Sequence, residues 1–136
     1  MKRIMLSVAI LALVLSSSTL FAAQGQPGKE KGPQTATIQG EIVDLGCYLG
    51  HGAMGASHKD CATKCIAGGM PMGLLTSDKK LYVLTMSHED AQPFNSCKDL
   101  AAEMVSITGP VSERNGVKSL EVTAVKQVKS EAKTTK

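Results

Sequence analysis

The first regular pattern along the chain begins at Thr35. Thr35, Thr37 and Gln39 alternate with Ala36, Ile38 and Gly40, and Glu41, Ile42, Val43, Asp44 and Leu45 continue in extended character. A period of two predicts one long strand over 35–45, with Gly40 at a bend or bulge. The glycine-rich stretch 46–56 reads as a loop. Ser57 followed three residues on by Asp60 matches a helix start and predicts a helix over 58–67, stopped by Gly68 and Gly69. Two short apolar runs, 73–76 and 81–85, flank Ser77, Asp78, Lys79 and Lys80 and predict a hairpin. Residues 87–95 read as a polar loop and 97–102 as a short helical turn. A strand over 105–109 follows. Asn115-Gly116 is a hairpin-turn signal, and a last strand over 117–125 places Leu120, Val122 and Ala124 on one face.

Five strands in this order suit a mainly β domain, a small five-stranded Greek-key barrel of the OB type with a short cysteine-bearing helix after strand 1. An open sheet or small sandwich covered by that helix is the alternative architecture.

Outside these elements the chain changes character. Lys2 and Arg3 precede an apolar run over 4–15 broken only by Ser7, and Ala22-Ala23 offers a cleavage point. Residues 1–23 therefore read as a secretory signal peptide. The run is shorter than the roughly 20 residues a membrane span needs, so no transmembrane segment is expected after its removal. Residues 24–34 hold prolines, glycines and charges and read as a flexible leader, 35–128 as the OB-like domain, and 129–136 as a basic disordered tail. Losing Lys2 and Arg3 leaves 13 Lys and Arg against 12 acids, so most of the precursor's +3 charge disappears. A nearly neutral domain whose aromatics are Tyr48, Tyr82 and Phe94 lacks the basic face and stacking platform of a nucleic-acid binder. No Gly-x-Ser-x-Gly and no paired carboxylates mark a catalytic constellation, so an enzyme is not indicated.

The chemistry concentrates in the 26 residues 47–72, which read Cys47-x3-His51-x2-Met54-x3-His58-x2-Cys61-x3-Cys65-x4-Met70-Pro71-Met72. Thiolate, imidazole and thioether hold soft or borderline transition metals. Cys61 and Cys65 fall on one face of the expected helix, and Met70 and Met72 point the same way if their segment is extended. Cys61 and Cys65 are the primary candidate ligands, with Cys47, His58, Met70 and Met72 to complete the set and His51, His88 and Cys97 as further possibilities. Copper is favoured over zinc, because the spacing lacks the close Cys-x2-Cys pairs of zinc knuckles.

Two other readings stand beside this one. Export places Cys47, Cys61, Cys65 and Cys97 in an oxidising compartment, where an even count favours two disulfides. Bridges from Cys61 and Cys65 out to Cys47 and Cys97 would make a stapled structural or protein-interaction module without metal. A thiol redox protein is the third reading, since Cys61 lies near a helix start between Lys59 and Lys64, where a thiol pKa falls.

The segments Gly40-Glu-Ile-Val-Asp44-x2-Cys47 and Cys61-x3-Cys65-x4-Met70-Pro71-Met72-Gly73-Leu74, with the later Val105-Ser-Ile-Thr-Gly109, resemble a group of small exported bacterial proteins. Those proteins carry an OB-like barrel and a Cys…Cys-x3-Cys pattern. The resemblance implies the barrel fold and export. It is compatible with metal handling, since exported OB-like barrels include copper- and haem-handling proteins. The expectation is thus a periplasmic or secreted metal-binding protein whose partner is a metal ion or another exported protein.

Overall fold

The first strand changes partners along its length, and the barrel closes because it does. In a computed structural model describing residues 33–128, β1 (Gln34–Asp44) pairs antiparallel with β4 (Met104–Arg114) over Gln34 to Glu41, and with β2 (Met72–Leu75) over Glu41 to Asp44. The expected signal peptide over 1–23, nearly all of the leader and the tail over 129–136 lie outside the described residues. At Ile42 the strand is bonded on both edges: its register partner on β2 is Leu74, while its amide reaches the Glu103 carbonyl at 3.1 Å. Gly40 stands where the partners exchange. A Cβ there would lie 2.6 Å from the Leu75 carbonyl oxygen, so only glycine lets β2 approach.

The remaining strands are β3 (Leu81–Met86), β5 (Val117–Val122) and β6 (Ala124–Gln127). Their order is β1-β2-β3-β5-β4, with β4 returning to β1. Only the β3–β5 pairing is parallel. This is the expected closed five-stranded OB-like barrel, because β5 and β6 are two halves of one strand. Between the pairs Val111↔Leu120 and Thr108↔Ala124, three residues (121–123) oppose two (109–110), which is a β-bulge. Thr123 secures it, its amide and its hydroxyl both donating to the Thr108 carbonyl at 3.0 and 2.9 Å. The Asn115-Gly116 turn forms as expected, with both residues at positive φ (51° and 80°) as a two-residue hairpin requires.

Alternate residues of the strands fill the barrel: Ile42, Leu74, Leu84, Val105, Ile107, Leu120 and Val122 are buried. A second, smaller cluster forms on the other face of β1 from Val43, Leu45 and Leu75, with Tyr48, Leu81 and Val83 against it. The stretch Glu41 to Leu45 is therefore buried throughout, which explains why its sequence carries no alternation.

Three α-helices among the described residues decorate this frame; the one bearing Cys61 and Cys65 forms as expected, and the other two depart from the sequence expectation. Leu45–His51 is a helix, α1, where a loop was expected. Asp44 caps it, and Leu45 and Tyr48, three apart, pack onto the outer cluster. Burial of that stripe outweighs the low helix propensity of Gly46 and Gly50. α1 ends at Gly52, φ 70°, whose amide returns to the Cys47 and Tyr48 carbonyls. The second helix, α2 (Lys59–Ala67), is entered through a 3-10 turn (Ala56–His58), and the expected serine cap does not form. Instead the Gly55 amide donates to the Glu41 carboxylate, anchoring the approach to the barrel. Ala62 and Ile66 of α2 join the main core. The third helix, α3 (Gln92–Cys97), occupies part of the expected polar loop. Pro93 suits a first helical turn, and Phe94 and Cys97 turn toward the core.

The bulge makes one test sharp. A Cβ on Gly109 would stand 1.6 Å from the Glu121 carbonyl oxygen, so Gly109→Ala must break the closure there. The expected loss in a urea melt is about 3 kcal/mol or more. Gly116→Ala, strained in φ but facing open space, should cost only about 1 kcal/mol.

Candidate metal centre

Asp44 closes β1 and opens α1. Its Oδ1 accepts the Cys47 amide at 2.8 Å, the bond by which an N-cap aspartate satisfies the third helical residue. That bond sets Cys47 on the first turn of α1. Cys61 and Cys65 lie one turn apart on α2, beside the Ala62 and Ile66 stripe that seats this helix on the core. Both helices being fixed to the barrel, the three sulfur atoms come within 4.8 Å of one another. Cys61 is exposed and Cys47 and Cys65 are half-buried, so the group opens at the surface.

The segment after α2 is lashed to the same place. The Met70 amide donates to the Cys65 carbonyl and the Leu45 amide to the Pro71 carbonyl, both at 2.9 Å. The Met70 thioether lies against Gly46, where a Cβ would meet its Sδ at 2.7 Å. Gly46 thus leaves room for a soft sulfur next to Cys47.

A second set shares Cys47. His58 Nε2 lies 3.2 Å from Asp44 Oδ2, and Asp44, Cys47 and His58 also present donor atoms within 4.8 Å of one another. Asp44 is wholly buried. Burial alone would raise its pKa, but the Cys47 amide and the hydrogen bond and charge of His58 outweigh that and hold it below the ordinary carboxylate value. The thiols feel the opposite. Burial, then the Asp44 carboxylate and Cys61, push Cys47 up to about 12. Burial and the Cys61 hydrogen bond raise Cys65. Lys59, next to His58, is paired with Glu103. A cation placed among these groups reverses the balance and favours the thiolates.

The sequence candidates separate accordingly. Cys47, Cys61, Cys65 and His58 come together in the two sets, and Met70 lies against Gly46. Met72 does not share that face: it is the first residue of β2 and only 2 % exposed, packed in the barrel core. Its side chain belongs to the fold. His51, at the end of α1, and His88, in the loop before α3, are exposed and belong to neither set. Cys97 is buried in the core, its thiol 3.4 Å from the Pro93 carbonyl, and burial pushes it up to about 11. It too is outside both sets, and no disulfide joins the four cysteines.

Asp44 and Glu41 were not among the sequence candidates. The signal for Asp44 was present: an aspartate three residues before Cys47 is an N-cap pattern. Reading 46–56 as a loop concealed it. Comparison with protein-family models, with curated proteins and with solved structures finds no match to this chain.

Two measurements check this geometry. Alkylation of the reduced native chain at neutral pH should modify Cys61 first and leave Cys97 unmodified until the chain unfolds. Raising the pH should lower stability between the ordinary thiol value, about 8.5, and about 11, because the unfolded Cys97 ionises while the folded one keeps its proton. Cys97→Ala should reduce that slope. For the cap, Asp44→Ala should cost about 1–2 kcal/mol in a urea melt, and Asp44→Asn, which still caps, distinctly less.

Proposed function

We propose that this chain is a small exported protein that binds a soft transition-metal ion, copper(I) ahead of zinc, through Cys47, Cys61 and Cys65. The observation that carries the reading is the convergence of three free thiols from two separately anchored helices on one surface-opening point. Three sulfur donors satisfy copper(I), which takes soft ligands in low coordination number, and the Met70 thioether beside Gly46 is of the same class. Structural zinc prefers a closed four-ligand shell, which these three sulfurs alone do not supply. Export rests on the basic start, apolar run and small-residue cleavage site over 1–23, and on the resemblance described above. No helix among the described residues is long and apolar enough to cross a membrane.

One observation favours a second reading. Three free thiols in mutual reach, one of them exposed, also suit thiol–disulfide exchange. Against it, Cys47 and Cys65 are held protonated, whereas an attacking thiol works as its thiolate.

Titrating the reduced, anaerobic mature chain with Cu(I) against a competing chelator separates these readings. The expected result is one tightly held ion in the thiol group. Cys61→Ser or Cys65→Ser should weaken binding by more than about 100-fold, beyond what loss of a supporting residue costs, and Cys97→Ala should leave it unchanged. A chain that retains no metal with all thiols reduced, or that loses binding equally in Cys97→Ala, refutes the proposal.

A further inference from the structure

The centre described above offers more donors than one ion can use. We propose that it holds two ions with the Cys47 thiolate as the bridge: a soft ion on Cys47, Cys61 and Cys65, and a divalent ion of the zinc class on Cys47, His58 and Asp44. The inference rests on the metal-binding reading above and extends it to a second site.

Four features lead to it. First, the two donor sets meet only at Cys47. Two sulfurs on one ion are at most about 4.6 Å apart, twice a zinc–sulfur bond, so a single ion is confined to one set or the other. A thiolate retains lone pairs after binding one metal and can bind a second.

Second, the chemistry of the sets differs. Three sulfurs suit a soft ion, while sulfur, imidazole nitrogen and carboxylate oxygen together form a borderline set of the kind zinc takes. Third, the spacing fits. Ligands about 2.1 Å from a tetrahedral ion stand about 3.4 Å apart, and His58 Nε2 and Asp44 Oδ2 already stand at 3.2 Å. A metal ion can therefore replace the shared proton with little movement. Asp44 Oδ1 meanwhile keeps its bond to the Cys47 amide, so binding does not undo the cap of α1.

Fourth, charge favours a second cation. Three thiolates and the Asp44 carboxylate around one monovalent ion leave an excess of three negative charges, two of the thiolates and the carboxylate being partly or wholly buried. A divalent ion on the second set reduces that excess to one. Uncompensated charge in such a place is costly. The His58 side chain is 20 % exposed, so this set is reached from solvent on its His58 side.

The test loads the reduced chain with Cu(I) and then titrates Co(II), a spectroscopic stand-in for zinc. The Cu(I)-loaded wild type should take up one further ion, with a thiolate-to-cobalt charge-transfer band. His58→Ala and Asp44→Asn should each weaken Co(II) binding by more than about 100-fold and leave Cu(I) binding unchanged. Asp44→Asn still caps α1, so its effect is not a folding defect. Cu(I) uptake without Co(II) uptake, or equal Co(II) uptake by both variants, overturns the second site alone. Absence of Cu(I) binding by the wild type overturns the preceding reading and this one together.

Discussion

A buried carboxylate at the junction of β1 and α1 holds the candidate site of this molecule together. Asp44 is wholly inaccessible to solvent, and both of its oxygens are engaged, one by the Cys47 amide and one by His58. The first bond starts α1 and so fixes where Cys47 points. The second ties the approach to α2, which carries Cys61 and Cys65, to the same residue. Glu41, three residues earlier, adds a parallel tether by accepting the Gly55 amide. A carboxylate can be buried here because its hydrogen bonds and the adjacent imidazole compensate the lost water. Removing those partners would leave a buried charge unpaired, while Leu45 and Tyr48 of α1 and Ala62 and Ile66 of α2 keep the helices seated.

The second constraint is electrostatic. Burial, the Asp44 carboxylate and the neighbouring Cys61 thiol make Cys47 resist ionisation, and burial and Cys61 do the same for Cys65. Lys59, the lysine next to His58, is turned to Glu103. Cys97 marks the contrast. It also resists ionisation, but from hydrophobic burial alone, its thiol donating only to the Pro93 carbonyl within the core. It behaves as a small core residue.

Much of the barrel was legible because its signals are local. Alternation defined β1 and the last strand, two apolar runs about Ser77 to Lys80 defined the β2–β3 hairpin, Asn115-Gly116 defined the tight turn, and Gly40 marked the place where β1 exchanges partners. Two local signals misled. The glycines of 46–56 concealed α1, whose stability comes from Leu45 and Tyr48 packing on strands distant in sequence. The serine–acid pattern at Ser57 and Asp60 suggested a cap that is absent, because a 3-10 turn anchored by Glu41 delivers the chain into α2 instead. The Met70 and Met72 pair failed for a related reason. The same-side rule applies within a strand, but β2 begins only at Met72, and the Cys65 carbonyl holds Met70 outside it.

Residue order therefore settled the strand sequence, the turn chemistry, the concentration of soft donors over 47–72 and the pairing of Cys61 with Cys65 on one helical face. These follow from periodicities that operate over a few residues. The tertiary structure alone decided which donors meet. It joined Cys47 to Cys61 and Cys65, enlisted Asp44 beside His58, set Met70 against Gly46 and gave Met72 and Cys97 to the core. Those outcomes depend on contacts between segments that only barrel closure brings together, through Gly40, the Gly109 bulge and the burial of β1 on both faces. The soft cluster was visible from the start; its division into two sets hinged on Cys47 was not, because no local rule positions a side chain against a distant helix.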